Sequence, residues 1–298
     1  MRILIIGSEG FIGRNLSSFF SHREIYSVFK SDISEKKEEN YFKINKDNES
    51  FFQLFQNNTF DVCINASGSG SVAFSNENPK EDRRLNTVNV SLMLEAMKHY
   101  NASCKFVNFS SAAVYGNSLK QPISEDGELK PVSPYGEHKL QSEIICNDFF
   151  IKYKIPTLSL RVFSVYGPGL EKQLLWDIFQ KSKTGKQIQL GGTGNETRDF
   201  IYIDDLCEAV EKLLLHMEFK GQAINVASGK RTTIKEVFDL LISQIANDHT
   251  AMFNNITRVG DPIHYLADIT TLKSTGFSPK HSIQEGIKKY ASWLRERK

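Results

Sequence analysis

The chain has 298 residues, 40% of them hydrophobic and 24% charged, an ordinary globular balance that excludes disordered, fibrous and membrane-spanning classes. Its formal net charge of +2 supplies no global field toward nucleic acid or a membrane surface, so neither is an expected partner. The four cysteines (Cys63, Cys104, Cys146, Cys207) lie far apart with no CxxC or Cys/His cluster. That argues against a disulfide framework and a metal site, and for reduced thiols in the cytoplasm.

From the N-terminus, Arg2–Ile6 reads as an apolar strand, too short for a signal peptide or a membrane span. Gly7-Ser8-Glu9-Gly10-Phe11-Ile12-Gly13 follows and opens an amphipathic helix over Phe11–Ser21. Glycines between a strand and a helix serve a tight turn, close approach of backbone to a pyrophosphate, and close helix–strand packing. The free N–H groups and dipole of the helix N-terminus favour an anion. Gly7, Gly10, Phe11, Ile12 and Gly13 are therefore the expected cradle of a dinucleotide.

Ile25–Phe29 reads as the second strand. An acid at the end of that strand selects NAD by binding the ribose hydroxyls, and a basic residue suits the extra phosphate of NADP. The sequence Val28-Phe29-Lys30-Ser31-Asp32 offers both. Register by the apolar residues puts Lys30 at the deciding place, and register by Ile33-Ser34 puts Asp32 there. NAD and NADP both stay open, with Lys30 tilting the choice to NADP.

The run Ser34–Asn40 (SEKKEEN) reads as a solvated loop. Tyr41–Ile44, Asp61–Asn65, Lys105–Phe109 and Thr157–Phe163 read as further strands, and Asp82–Tyr100 as an amphipathic helix. Phe51, Phe52, Leu54 and Phe55 stand at helical spacing and read as core. Buried strands alternating with helices predict a doubly wound parallel sheet, an α/β Rossmann fold. Tyr166-Gly167-Pro168-Gly169 breaks the pattern. It divides a dinucleotide-binding domain, 1–166, from a smaller α/β substrate domain, 167–298, some segments of which pack back on the first. In that second half, Thr233 with Glu236 and Ser282 with Glu285 are capping boxes. Ile283, Ile287, Tyr290 and Leu294 give the last helix one apolar stripe.

Ser133-Pro134-Tyr135-Gly136-Glu137-His138-Lys139 opens another helix, with Ser133 as N-cap and Pro134 at its first position. Tyr135 and Lys139, four apart, share a face. A phenol of pKa ~10 is a poor proton carrier at neutral pH, and a fixed ammonium nearby lowers it. His138 lies on another face and reads as packing or solvent-facing.

These segments together resemble one family. GxxGxxG, the strand ending Ser110-Ser111 with Val114-Tyr115-Gly116 after it, and SPYGEHK are similar to motifs of the extended short-chain dehydrogenase/reductases, the nucleotide-sugar-modifying branch. So are the later RVFSVYGPG, TRDFIYIDD, INVASG and RVGDP. The resemblance implies Tyr135 as acid/base, Lys139 as its partner and a holder of the nicotinamide ribose, and Ser111 as hydrogen-bond donor to the reacting oxygen. Ser111 is preferred to Ser110 because it stands four before Tyr115. The strand-four signature carries Asn65 where the family usually has His, before Ala66 and Ser67, which are expected to run under the cofactor. Arg198 and Arg258 match positions that bind the nucleotide diphosphate, and Asp261 a position at the nucleotide ribose. Ser164 replaces the usual substrate-binding Asn. Relatives often form homodimers through helices corresponding to Asp82–Tyr100 and Pro134–Tyr153.

Ala112 and Ala113 narrow the reaction. Sugar 4,6-dehydratases carry Asp-Glu after the catalytic Ser/Thr, and the UDP-glucuronate decarboxylases keep a glutamate there. A methyl group carries no proton, so dehydration and decarboxylation are unexpected. The GDP-fucose synthases place a cysteine and a histidine where this chain has Ala113 and a His-free Gly167–Trp176. What remains is redox chemistry at C4 of a nucleotide-linked sugar with one proton carrier. The expectation is a reductase of a 4-keto (6-deoxy) sugar. It rests on the NADP tilt and on a short span from YGPG to TRDF that lacks the VIP segment of the 4-epimerases. The alternative is a nucleotide-sugar 4-epimerase with retained NAD, and a third reading is a non-catalytic dinucleotide-binding sensor.

Overall fold

Alternate residues of the first strand serve two different cores. In β1 (Arg2–Ile6), Ile3 and Ile5 pack on one face of a sheet, and Leu4 and Ile6 on the other; all four are fully buried. A strand covered on both faces loses the apolar–polar alternation and reads as continuous aliphatic sequence, which is why RILII was legible. The structure, a computed structural model, describes residues 1–45, 50–246, 248–256 and 263–297.

In chain order, β1 is followed by α1 (Phe11–Ser21), β2 (Ser27–Asp32), β3 (Tyr41–Lys43), α2 (Ser50–Asn57) and β4 (Val62–Asn65). Then come α3 (Val72–Glu77), α4 (Pro79–Arg83), a π-helical turn (Arg84–Val88) and α5 (Asn89–Tyr100). β5 (Lys105–Ser111) runs into a 3₁₀ turn (Ala112–Tyr115), and α6 (Pro134–Tyr153), β6 (Thr157–Val162) and β7 (Ser164–Tyr166) follow. The remainder is α7 (Gln173–Ser182), β8 (Gln187–Leu190), β9 (Thr197–Tyr202), α8 (Ile203–His216), β10 (Ala223–Val226), β11 (Arg231–Thr233), α9 (Ile234–Ile245), β12 (Thr250–Phe253), α10 (Thr270–Ser274) and α11 (Ile283–Arg295).

Seven strands form one parallel sheet in the order β10-β6-β5-β4-β1-β2-β3. Core residues of α2, α5 and α6, such as Phe55, Met93 and Cys146, cover one face. Leu16 and Phe20 of α1 and Val210 and Leu213 of α8 belong to the core on the other. This is the doubly wound Rossmann arrangement that the sequence predicts. Strand order reverses between β1 and β4, and the crevice outside the carboxyl ends at such a point is where α/β sheets bind ligands. Two small sheets complete the fold, β11-β9-β7 and β12-β8.

Three predictions need adjustment. The second strand starts at Ser27, two residues later than its apolar onset, because Ile25 is exposed and Tyr26 turns into the core. Thr233 caps α9 by accepting from the Glu236 N–H, but the reciprocal bond of a full capping box is recorded only at Ser282 and Glu285. The run Ser34–Asn40 folds back: Lys36 pairs with Glu9 and Glu38, and Lys30 with Glu38, tying the loop to the glycine turn and β2. Phe51, Leu54 and Phe55 are buried in the core as expected.

Candidate active site

The glycine turn has the shape of a dinucleotide cradle. Gly7 has φ +83°, and a Cβ there would stand 2.6 Å from the Ser67 backbone nitrogen. A Cβ at Gly13 would stand 2.0 Å from the Gly7 carbonyl oxygen, so α1 can seat against the turn only without one. Gly10 is the N-cap of α1 and brings no side-chain acceptor, which leaves the first-turn N–H groups of Phe11 and Ile12 for an anion. Ala66 and Ser67 pass directly behind Gly7, and Asn65 holds them there by accepting from the Ser67 N–H (3.2 Å) and hydroxyl (2.6 Å). The buried Ser8 hydroxyl and Asn86 amide oxygen have no protein partner recorded among the described residues. These features fit a pyrophosphate-bridged dinucleotide.

The true register of β2 puts Asp32 at its carboxyl end. Its Oδ2 accepts from the Glu9 N–H at 2.9 Å, on the rim of the glycine turn. Lys30 stands two residues back with its ammonium paired to Glu38. The tilt to NADP rested on a register the structure does not adopt.

At the far end of the crevice, β5 and α6 bring Ser111, Tyr135 and Lys139 together. Ser133 caps α6 by accepting from the Gly136 N–H at 3.2 Å, with Pro134 in the first turn. Ser75 on α3 accepts from the Tyr135 N–H at 3.1 Å, pinning the residue where the helix begins. The Lys139 Nζ lies 5.9 Å from the centre of the half-buried Tyr135 ring and donates to the Phe109 carbonyl at 2.6 Å. Burial pushes the Tyr135 phenol up, a hydrogen bond with Ser111 pulls it back, and the Asp82 charge adds to the rise. Burial also brings the Lys139 ammonium down from 10.5 to about 8, against the Asp82 and Glu143 carboxylates, which hold it up.

The two serines divide as neighbours on a strand do, to opposite faces. The Ser110 hydroxyl is spent on Glu143, whereas Ser111 faces Tyr135 and accepts from the Ala113 N–H at 3.1 Å. Ala112 and Ala113 bring no titratable group to this corner.

Of Ser164, Arg198, Arg258 and Asp261, read for substrate binding, two stand on the three-stranded sheet and two lie outside the described residues. Arg198 is on β9 and donates to the Thr197 and Ile263 carbonyls at 3.0 and 3.3 Å. Ser164 opens β7 opposite Phe200, so the three-stranded sheet carries both expected substrate contacts. Arg258 and Asp261 lie outside the described residues.

Other motif residues build the frame. In TRDF, buried Asp199 accepts from the N–H groups of Ser228 (2.9 Å), Gly229 (3.0 Å) and Ala267 (3.2 Å) and from the Ser228 hydroxyl (2.8 Å). In RVF, buried Arg161 grips Glu143 and donates to the Tyr115 hydroxyl at 2.9 Å, which donates to Asn225 Oδ1 at 2.7 Å. Buried Asp82 was missed. Its contact with His138 spans 56 residues and leaves no local trace.

A fold with this strand order, this glycine turn and this Ser/Tyr/Lys corner defines an NAD(P)-dependent enzyme of the short-chain dehydrogenase/reductase type. The model of the NAD dependent epimerase/dehydratase family matches residues 3–227, and the chain belongs to that family. It is similar, at 27% identity over 98% of each chain, to a putative UDP-glucose 4-epimerase of Methanocaldococcus jannaschii. Among solved structures it is similar to the UDP-glucuronic acid 4-epimerase of Bacillus cereus in complex with UDP-glucuronic acid and NAD, with TM-score 0.91 and 25% identity over the whole of both chains. It is also similar to the UDP-glucose 4-epimerase of Thermotoga maritima with UDP-glucose, with TM-score 0.90 and 27% identity over 100% of this chain and 99% of that one.

Proposed function

We propose that the chain is a nucleotide-sugar 4-epimerase that retains NAD, and that its substrate is a UDP-linked hexose or hexuronate. The observation that confines the chemistry to hydride transfer with a single proton carrier is the composition of the Ser111–Tyr135–Lys139 corner. It holds one proton carrier with its partner and, at Ala112 and Ala113, no second acid or base. The position of Asp32 supports NAD over NADP, and the full-length likeness to 4-epimerases supports C4 as the reacting carbon. The 4-keto sugar reductase reading loses its first ground with the β2 register.

NAD, when bound, supplies reversible two-electron oxidation of the C4 carbon. The protein's part is to move one proton and hold the oxygen. The Ser111 hydroxyl donates to the C4 oxygen and fixes it beside Tyr135. The Tyr135 phenolate accepts the C4 hydroxyl proton as the ketone forms and returns it when the opposite face of the ketone is reduced. The Lys139 ammonium stabilises that phenolate, each unit of lowered phenol pKa being worth about 1.4 kcal/mol. In the same reading Ser164 and Arg198, with Arg258 and Asp261, receive the nucleotide sugar, and Gly7, Gly10, Phe11, Ile12, Gly13, Asp32, Ala66 and Ser67 surround the NAD. Residues 1–166 supply the dinucleotide cradle and 167–298 most of the substrate side. The working unit is a homodimer.

The test is direct. Protein is incubated with UDP-glucose, UDP-glucuronic acid or UDP-N-acetylglucosamine and trace NAD, and C4 epimers are resolved by proton NMR. Interconversion is the expected result. Consumption of NADPH by a 4-keto-6-deoxy nucleotide sugar, with no interconversion, would return the reading to a reductase. Tyr135→Phe should lower turnover by a factor on the order of 100 or more while NAD still binds.

A further inference from the structure

Beside the Tyr135–Lys139 pair lies a second buried pair that the reaction just described does not use. Asp82, on α4, is 0% exposed. Its Oδ2 is 2.7 Å from the Nδ1 of buried His138, and its Oδ1 accepts from the Asn86 amide at 3.0 Å. Asn86 sits on the π-helical turn Arg84–Val88, and Thr87 of the same turn donates to the His138 carbonyl at 3.0 Å. One turn thus grips both the carboxylate and the helix that carries Tyr135 and Lys139. Turns of this kind widen a helix and occur often at functional sites.

An unpaired buried carboxylate is costly, and a buried one that persists needs strong partners. The two carboxylates that act on Lys139 are held differently. Glu143 is gripped by the Arg161 guanidinium, with Nη2 to Oε2 at 2.8 Å. Asp82 has an imidazole and an amide instead. Among the described residues, the groups around this corner include Arg161 of β6, through Glu143. From α6 come His138, Tyr135, Lys139 and Glu143, from the π turn Asn86, from β5 Ser111 and the Phe109 carbonyl, and from α3 the Ser75 hydroxyl on the Tyr135 N–H.

We propose that Asp82, held by His138 and Asn86, is a positioning residue whose buried negative charge sets the pH range in which Tyr135 and Lys139 work as a pair. The inference rests on the proposed function for the role of that pair. A fixed negative charge favours the protonated form of both phenol and amine, so its removal lowers both ionisations. Because the two groups are neighbours, they titrate as a coupled pair with two macroscopic steps.

The test uses Asp82→Asn, which keeps the shape and removes the charge. Both limbs of the pH profile of kcat/KM for the 4-epimerase reaction should move to lower pH by about one unit. The Tyr135 ring carbon, observed by NMR in protein labelled at tyrosine Cζ and assigned by its loss in Tyr135→Phe, should titrate about one pH unit lower as well. His138→Gln keeps the charge at residue 82 and one N–H toward it, and its limbs should stay near those of the unaltered protein. If Asp82→Asn folds poorly, the paired Asp82→Leu/His138→Leu variant removes the charge without stranding an imidazole, and the same downward shift is expected. Lower turnover with both limbs and the NMR titration unmoved would reduce Asp82 to a packing residue and overturn the inference. The NMR titration needs no substrate. An absence of 4-epimerase activity therefore sinks the functional reading by itself and leaves this one to be decided separately.

Discussion

Lys139 shows how a single side chain is held against its own preference. It is 5% exposed, among the described residues its Nζ reaches only a carbonyl as hydrogen-bond acceptor, and burial brings its pKa down. A group whose folded pKa lies below its unfolded value binds fewer protons when folded. Stability therefore rises with pH between the folded value near 8 and the unfolded value of 10.5. Below pH 8 the buried charge is a constant cost, about 3 kcal/mol at 1.4 kcal/mol per unit. Lys139→Met should abolish turnover and still raise stability at pH 7, by on the order of 2 kcal/mol once the lost hydrogen bond to Phe109 is counted. That gain should shrink as the pH is raised from 8 toward 10. Urea unfolding at pH 7 and pH 9.5 measures it, and a destabilised variant would show that the ammonium holds the loop together instead. The pair was legible because Tyr135 and Lys139 are four residues apart on one helix. Ser111 was legible only through a motif, and the geometry supplies a reason for it, since strand alternation sends Ser110 to Glu143. Asp82 was not legible, because nothing local distinguishes a buried acid from a surface one in Pro-Lys-Glu-Asp-Arg-Arg.

At the scale of the element, the register of β2 underlies the proposed choice of NAD. Its apolar onset, Ile25-Tyr26, suggests a strand, but pairing with β1 starts at Ser27, opposite Arg2. That displacement carries Lys30 inward along the strand and leaves Asp32 at its carboxyl end. Patterning leaves the ends of a short strand open by a few residues, and here two residues separate a cation from an anion. Asp32→Ala should weaken NAD binding by about 1–2 kcal/mol, a factor on the order of 10, through loss of a charge-assisted hydrogen bond to ribose. NADP binding should weaken less or improve. Fluorescence titration with both reduced cofactors decides, and equal losses for the two would take Asp32 out of the ribose site. Strand β1 was readable because both faces are buried and its aliphatic run is unbroken, and β4, β5 and β6 because short apolar-rich stretches alternate with helical patterns. The small sheet β11-β9-β7 was not, since its outer members are short and pair across more than thirty residues only in the folded state.

At the scale of the whole molecule, α5 and α6 lie side by side on the same flank of the large sheet and keep apolar groups in solvent. Ile144 and Ile151, seven apart on α6, are each 55% exposed, and Tyr100 at the end of α5 is 43% exposed. Two helices presenting such a face suit a self-complementary contact with a second copy about a two-fold axis. The double variant Ile144→Glu/Ile151→Glu should sediment as a monomer of unchanged thermal stability, against a mass twice that of the chain for the unaltered protein. A monomeric unaltered protein at micromolar concentration would remove the homodimer from the proposal. Among the described residues no helix is long and apolar enough to cross a membrane.

The edge strand β10 has a consequence for how the chain is made. Residues 223–226 complete a sheet whose preceding member ends at Val162, so about sixty residues must leave the ribosome before that flank is closed. Until then the β6 backbone, Thr157–Val162, is an open template for pairing with another nascent chain. A fragment ending at Tyr166 would keep the glycine turn and the Ser111–Tyr135–Lys139 corner and still expose that template permanently. It should collect in inclusion bodies, whereas a fragment extended past Val226 has the means to stay in solution.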